Sequence, residues 1–337
     1  MYFITCKSGR ESLDLAKNVA TLLKLDRIKY SLCKDFNLSI HKKELNENNC
    51  EMLIAVGDDS FILKTFRDLG KLQIPVFTIA SMQSFLAQAN SVNFKYYINL
   101  IRKKKYNVFK RSRISALFDN MASPIALNDI SIFSSKSASL MTYSLTLNDE
   151  IFWKDTSDGI VVATPTGSTG YSLSAGGPII LDEPQILSLT SISSLEKHSP
   201  LIVSDNTRIK IAEIQGFKPT LVVDGEIRLP VKSKEVVIEK SPYYATFVAF
   251  SKEYSLESRL KKRTIKVNLE HLKNLPASSK LIYKILTHEG NMTQKELLGS
   301  SLLPERTVRY ALNILLKYRM ISSQPHFSDA RQTVYSV

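Results

Sequence analysis

Cysteine is scarce in this 337-residue chain. The three present, Cys6, Cys33 and Cys50, lack the paired spacings that hold a metal, and no disulfide framework is expected of so few. They read as reduced structural thiols in an intracellular, cytoplasmic protein. Long apolar runs are missing as well. No segment approaches the roughly 20 consecutive apolar residues that span a bilayer, which argues against a helical membrane protein. Residues 1–12 carry no basic segment leading into an apolar core, so no signal peptide is expected. Internal repeats and low-complexity tracts are also missing. What remains is an ordinary globular composition, 44% hydrophobic and 23% charged, long enough for two or three domains.

Acidic residues are in deficit: 32 Asp and Glu stand against 45 Lys and Arg, a net charge of +13. The imbalance is concentrated. Residues 256–337 hold 14 Lys and Arg but 6 Asp and Glu. A basic terminal quarter points to a polyanionic partner, nucleic acid first.

Along the first hundred residues short apolar runs alternate with helical stretches. Residues 2–6, 28–32, 51–56 and 74–79 read as strands. Residues 11–25 read as a helix, with Leu13, Ala16, Val19, Ala20, Leu22 and Leu23 on one face. Two more helices are expected, over 61–69 and 92–106. Continuous apolar strands between helices predict a parallel sheet covered on both sides. Near residue 108 the texture changes to short Val, Ile, Thr and Ser-rich segments separated by turn residues, an all-β pattern that lasts to about residue 240. Residues 244–250 form one more strand that could return to the first sheet. The expected fold class is therefore α/β: a Rossmann-like N-terminal domain over 1–107, completed by 241–263, then a β-sandwich domain over 108–240. A linker over 264–276 and a C-terminal domain over 277–337 follow.

That last domain reads as helix, helix, longer helix and hairpin. Leu281, Ile282, Ile285 and Leu286 make the first helix apolar on one side, and Thr293 with Glu296 forms a capping box for the second. The order is that of a winged helix-turn-helix. In such a module the third helix enters the major groove, and Arg306, Thr307, Arg309 and Tyr310 stand at its start, with Arg331 in the hairpin tip. Double-stranded DNA is the expected partner, and a small helical protein-interaction domain is the alternative.

The most specific stretch is residues 164–178, TPTGSTGYSLSAGGP. Its small residues let a backbone approach a ligand closely, and their N–H groups can converge on anionic oxygen. Ser168, Thr169, Ser172 and Ser174 add hydroxyls, and Tyr171 offers a flat face for a ring. The inventory suits a nucleotide or dinucleotide.

With these residues the chain resembles the NAD kinase family. Residues 164–178 match that family's TPTGSTAYSLSAGGP signature with one change, Gly170 for Ala. Asp158-Gly159 lies just upstream, Ala126-Leu127-Asn128-Asp129 is similar to the family's ALNE, and Asp224-Gly225 fits a later Asp-Gly. The likeness covers roughly residues 1–263. It implies that Asn128 and Asp129 hold the adenosine half of NAD or NADP, with Asp129 on ribose hydroxyls. Asp158, Thr169, Gly170, Tyr171, Ser174 and Asp224 complete the dinucleotide contacts. From the residues alone, Asn128-Asp129 could equally be a turn and Asp224-Gly225 a hairpin.

The phosphoryl-donor motif departs from the family. Gly-Gly-Asp-Gly-Thr becomes Val56-Gly57-Asp58-Asp59-Ser60, and residues 78–86 have lost every glycine of the family's next segment. The resemblance makes Asp58 the catalytic residue and Gly57, Asp59 and Ser60 the donor loop. Asp59 next to polyphosphate is expected to repel it, and a side chain at a positive-φ position to add strain. Alternatively Asp59 recruits a metal ion; no other metal ligand set is evident.

The leading expectation is a dinucleotide-responsive DNA-binding transcriptional regulator with lost or weak kinase activity. The alternative is an active NAD kinase, using ATP and Mg²⁺ to phosphorylate the 2′-hydroxyl of NAD, with an accessory DNA-binding domain. A third reading is a dinucleotide-binding protein whose last domain only drives oligomerisation. A homodimer or homotetramer is expected.

Overall fold

The computed structural model describes residues 1–25, 30–34, 45–81, 84–136, 139–181, 184–250, 275–318, 320–325 and 332–336. The chain forms two compact units, Met1–Glu257 and Ser258–Val337. Most of the expected 264–276 linker lies outside the described residues.

A largely parallel sheet opens the first unit. Its strands are β1 (Tyr2–Cys6), β2 (Tyr30–Lys34), β3 (Met52–Val56), β4 (Val76–Ala80), β5 (Ala89–Asn90), β6 (Asn107–Arg111) and β19 (Ala245–Ala249). The order is β2-β1-β3-β4-β19-β6, with β5 beside β4. Tyr2–Cys6, Met52–Val56 and Val76–Ala80 are buried at every position, as their unbroken apolar sequences require of strands covered on both faces. Helices α1 (Arg10–Leu25) and α3 (Phe94–Arg102) supply the apolar residues of one core, and α2 (Asp59–Leu69) packs into another. Leu15, which the expected stripe omits, is in the α1 core, whereas Leu13 and Leu22 are only half-buried.

Two facing antiparallel sheets follow. The first has the order β11-β10-β15-β18-β7-β8, made of β7 (Ile114–Phe118), β8 (Met121–Ala122), β10 (Met141–Leu147), β11 (Glu150–Ser157), β15 (Ile209–Gln215) and β18 (Val236–Lys240). The second has the order β14-β13-β12-β9-β16-β17, made of β9 (Asp129–Phe133), β12 (Gly159–Ala163), β13 (Ile186–Ile192), β14 (Leu201–Ser204), β16 (Thr220–Val223) and β17 (Ile227–Pro230). Alternate residues of both sheets share one core. Ile114, Tyr143 and Ile211 face Ile130, Val162 and Leu221 within it. This is sandwich packing.

The second unit contains α5 (Ala277–Glu289), α6 (Gln294–Ser301) and α7 (Glu305–Lys317). A small sheet, β20-β22-β21, joins β20 (Met292–Thr293), β22 (Thr333–Ser336) and β21 (Ser322–Pro325). Ile282, Leu286, Leu297, Val308, Leu312 and Leu315 form its core. Leu281 belongs to the exposed side instead, at 39% exposure. The Thr293–Glu296 capping box is present, each partner satisfying an amide of the other. Among the described residues no helix is long and apolar enough to cross a membrane.

Candidate functional site

The 164–178 segment follows β12 and turns sharply. Thr166–Thr169 is a 3-10 turn and Tyr171–Ser174 a single helical turn, α4. Close approach explains its glycines. A Cβ on Gly167 would lie 2.0 Å from the Asn128 carbonyl oxygen, so only glycine fits there. Thr164 and Ser168 act inside the turn rather than toward a ligand. Thr164 Oγ1 donates to the Leu127 carbonyl at 2.6 Å, and Ser168 Oγ donates to the Pro165 carbonyl at 2.7 Å. The expected ligand hydroxyls thus narrow: Ser168 and Ser172 are fully buried, while Ser174 is exposed and Thr169 half-buried. At Gly170 a Cβ would meet the Gly167 oxygen at 3.2 Å, so the family's Ala is tight but admissible there.

These turns bring the segment against Asn128 and Asp129. A cleft of about 660 Å³ is lined by Asp129, Phe133, Tyr171, Thr220, Gly225 and Arg228, among others. Tyr171 stays 42% exposed, its ring edge-on to Phe133 at 5.7 Å between centroids. Asp129 is the unusual group. Only 3% of it is exposed, and its Oδ1, like Asn128 Oδ1, has no hydrogen-bond partner. Burial, helped by the nearby Asp224 carboxylate, pushes the Asp129 carboxyl up to about 7. Unpartnered buried acceptors are costly unless a donor arrives. Asp158, whose N–H is tied to the Ile192 carbonyl, lies near enough to Tyr171 to help raise its phenol.

Asp224 sits differently. Its backbone is left-handed, φ 49°, in the turn between β16 and β17, and Gly225 follows at 71°. The hairpin reading of Asp224-Gly225 is therefore what its local structure is. The carboxylate is buried and fully engaged with Arg67 and with the Leu127 and Asn128 amides. Its oxygens brace the site from beneath.

The donor motif corrects one expectation and adds detail to another. Val56 ends β3 and Asp59 begins α2, and no residue from Val56 to Ser60 has a positive φ, so no left-handed strain arises. Glycine is needed at 57 for another reason: a Cβ would come within 2.7 Å of the Phe61 ring. Asp59 does not stand free beside a phosphate path. Its carboxylate accepts from the Phe85 N–H at 2.8 Å, from the Leu86 N–H at 2.8 Å and from the Ser84 hydroxyl. The same bonds leave it poorly suited to recruit a metal. Among the described residues no cluster of three or more His, Cys, Asp or Glu could hold one. Asp58 caps α2 through its bond from the Phe61 N–H at 3.1 Å and pairs with Lys7. Partial burial alone raises its carboxyl, but the bonds from Lys7 and Phe61 outweigh it and hold the group below the ordinary carboxylate range. Lys7 follows β1 and Asp58 follows β3, neighbouring parallel strands whose helices leave to opposite faces, the place where open α/β sheets bind ligands. None of residues 57–60 lines the cleft.

In the second unit Arg306, Arg309 and Tyr310 are exposed on the first turns of α7, Thr307 is half-buried, and Arg309 pairs with Glu305 at 2.7 Å. Arg331 lies outside the described residues.

A largely parallel sheet carrying an Asp-capped helix, followed by a sandwich whose cleft is lined by a buried Asp, defines a nucleotide-binding α/β-plus-β protein. Residues 127–250 match the model of the ATP-NAD kinase C-terminal domain. The NAD kinase of Christiangramia forsetii is 30% identical over 259 residues, 73% of this chain and 88% of that protein. That of Clostridium botulinum, strain Loch Maree, is 31% identical over 256 residues, 72% and 89% respectively. Among solved structures, an Archaeoglobus fulgidus NAD kinase in complex with ATP superposes with a TM-score of 0.65 at 25% identity, covering 75% of this chain and 95% of that one. The chain belongs to the NAD kinase family.

Proposed function

We propose that the chain is a working NAD kinase, transferring the terminal phosphoryl group of ATP to the 2′-hydroxyl of NAD. The observation that carries this reading is the pair of buried, unpartnered acceptors, Asp129 Oδ1 on a residue that lines the cleft and Asn128 Oδ1 on its chain neighbour. They suit donors such as ribose hydroxyls or an adenine amine. Tyr171 offers its exposed face to a ring. The donor turn is compatible with this reading: no residue of Val56–Ser60 has a positive φ, and the Asp59 carboxylate is tied to the Ser84–Leu86 stretch rather than standing free.

In this mechanism Asp58, ionised at neutral pH, accepts the hydrogen bond of the attacking hydroxyl and orients its lone pair. The oxygen–phosphorus bond forms as the bond to the leaving ADP breaks, and the hydroxyl proton passes to Asp58 or onward to solvent. Catalysis then consists of positioning and charge stabilisation. Mg²⁺ would arrive with the triphosphate and neutralise its charge, since the described residues offer no ready metal cluster.

The second unit supports an accessory role. Helix–strand–helix–helix–hairpin order with exposed Arg306, Arg309 and Tyr310 suits a winged helix reading DNA. If the kinase were silent, the same parts would make the ligand-responsive regulator. Incubation with NAD, ATP and Mg²⁺ separates the two: NADP formation abolished by Asp58→Asn supports the kinase, and NAD binding without NADP formation supports the regulator.

A further inference from the structure

Two buried arginines tie the donor helix to the backbone beneath the cleft. Helix α2 starts at the Asp58 cap, and Arg67 sits in its last turn. Arg67 Nη1 donates to Asp224 Oδ2 at 3.0 Å, and Nη2 pairs with Glu226. The other oxygen of Asp224 accepts from the N–H groups of Leu127 at 3.0 Å and Asn128 at 2.8 Å. The Asp224 N–H donates to the Asp129 carbonyl at 2.9 Å. The Asp224 carboxylate therefore fixes the peptide planes that end in the Leu127 and Asn128 amides, its backbone N–H holds the Asp129 carbonyl, and one guanidinium fixes that carboxylate to α2. Arg113 repeats the connection. It donates to the Phe66 and Gly70 carbonyls at the carboxyl end of α2 and to the Ile125 carbonyl, two residues before Leu127.

Stability alone is a weak reason for such a pair. The Arg67 and Asp224 side chains are 4% and 0% exposed. Burying two charges is expensive, and apolar replacements of like volume often do as well. What apolar contacts cannot supply is a fixed direction, because a guanidinium bonded to a carboxylate sets both distance and angle.

We propose that Arg67–Asp224 is a positioning pair, setting the register between the helix that presents Asp58 and the segment that presents Asn128 and Asp129. The inference rests on the kinase reading of the site. Phosphoryl transfer is sensitive to such register, since a displacement of an ångström between reacting groups can remove most of the rate.

The test uses the full chain. In Arg67→Met/Asp224→Asn neither charge of the pair is left without the other; the buried Arg113 loses the nearby Asp224 charge but keeps its bonds to the Phe66, Gly70 and Ile125 carbonyls. The side-chain carbonyl of the replacement amide can still accept from Leu127 and Asn128, so the segment under the cleft keeps its local bonds. NAD affinity by calorimetry is expected to stay within about threefold of wild type while kcat falls at least about tenfold. A purely structural role would not produce that split. Arg67→Lys, the milder variant, keeps the charge but loses the second bond. It is expected to lower kcat severalfold with NAD affinity unchanged, and it carries the test if the double variant does not fold. Wild-type kcat in a folded double variant, or in Arg67→Lys, overturns the proposal. So does a loss confined to NAD affinity, which would make the pair a wall of the cleft. A wild-type chain that forms no NADP removes the kinase reading and this inference together, whereas an active wild type with unaffected variants removes the inference alone.

Discussion

If Asp129 holds the dinucleotide as proposed, its carboxyl links stability to ligand binding. Its folded form holds a proton up to about pH 7, while in the unfolded chain it titrates in the ordinary carboxylate range. The folded state therefore binds more protons between those values, and stability is full below the unfolded value and falls as pH rises toward 7. Asp129→Asn is expected to raise stability at pH 8 by roughly 1–3 kcal/mol, read by denaturant unfolding at pH 5 and pH 8. The same variant is expected to weaken NAD binding at pH 8 by about tenfold or more, since an ionised acceptor bonds more strongly than an amide. Wild-type affinity should climb with pH through about 7, as the carboxylate forms. Gly167 is constrained sterically. Gly167→Ala drives a methyl into the Asn128 carbonyl and is expected to cost about 1–3 kcal/mol with loss of NAD binding, measured by melts and calorimetry. Both residues were legible in the sequence as members of motifs. What the sequence does not carry is burial: Ser168 and Ser172 look like ligand hydroxyls in a Gly/Ser-rich string, and only the fold turns them inward.

At the level of elements, the parallel strands were readable because Tyr2–Cys6 and Met52–Val56 are apolar throughout. Others carry less signal. Glu150–Ser157 is an edge strand with Ile151 and Phe152 exposed, so its residues do not alternate cleanly. The donor turn misleads for a different reason. Composition shows two acidic residues where the family has one, but not that Asp59 is bonded to amides some 26 residues further on. Those bonds make Asp59 the anchor of the Ser84–Leu86 stretch. Asp59→Gly is expected to speed hydrogen exchange at the Phe85 and Leu86 amides by about tenfold or more, the equivalent of at least one lost charge-assisted bond. Unchanged exchange at both amides would mean the stretch is held by other contacts.

For the whole molecule, most of the basic excess lies in the last quarter of the chain, and the core of the second unit is built from its own residues. If that unit reads DNA through α7, affinity should fall steeply with salt. Arg306→Ala and Arg309→Ala should each reduce the slope of log affinity against log salt by about one. Slopes unchanged from wild type would remove α7 from the interface and favour a protein-binding role. The larger unit carries the central claim, that the cleft and the Asp58 turn form one working site. Its most direct test is NADP formation from NAD, ATP and Mg²⁺ by the full chain. The account predicts steady turnover that drops about 100-fold or more in Asp58→Asn while NAD binding persists. NAD bound at the cleft with no NADP formed by the wild-type chain would contradict it.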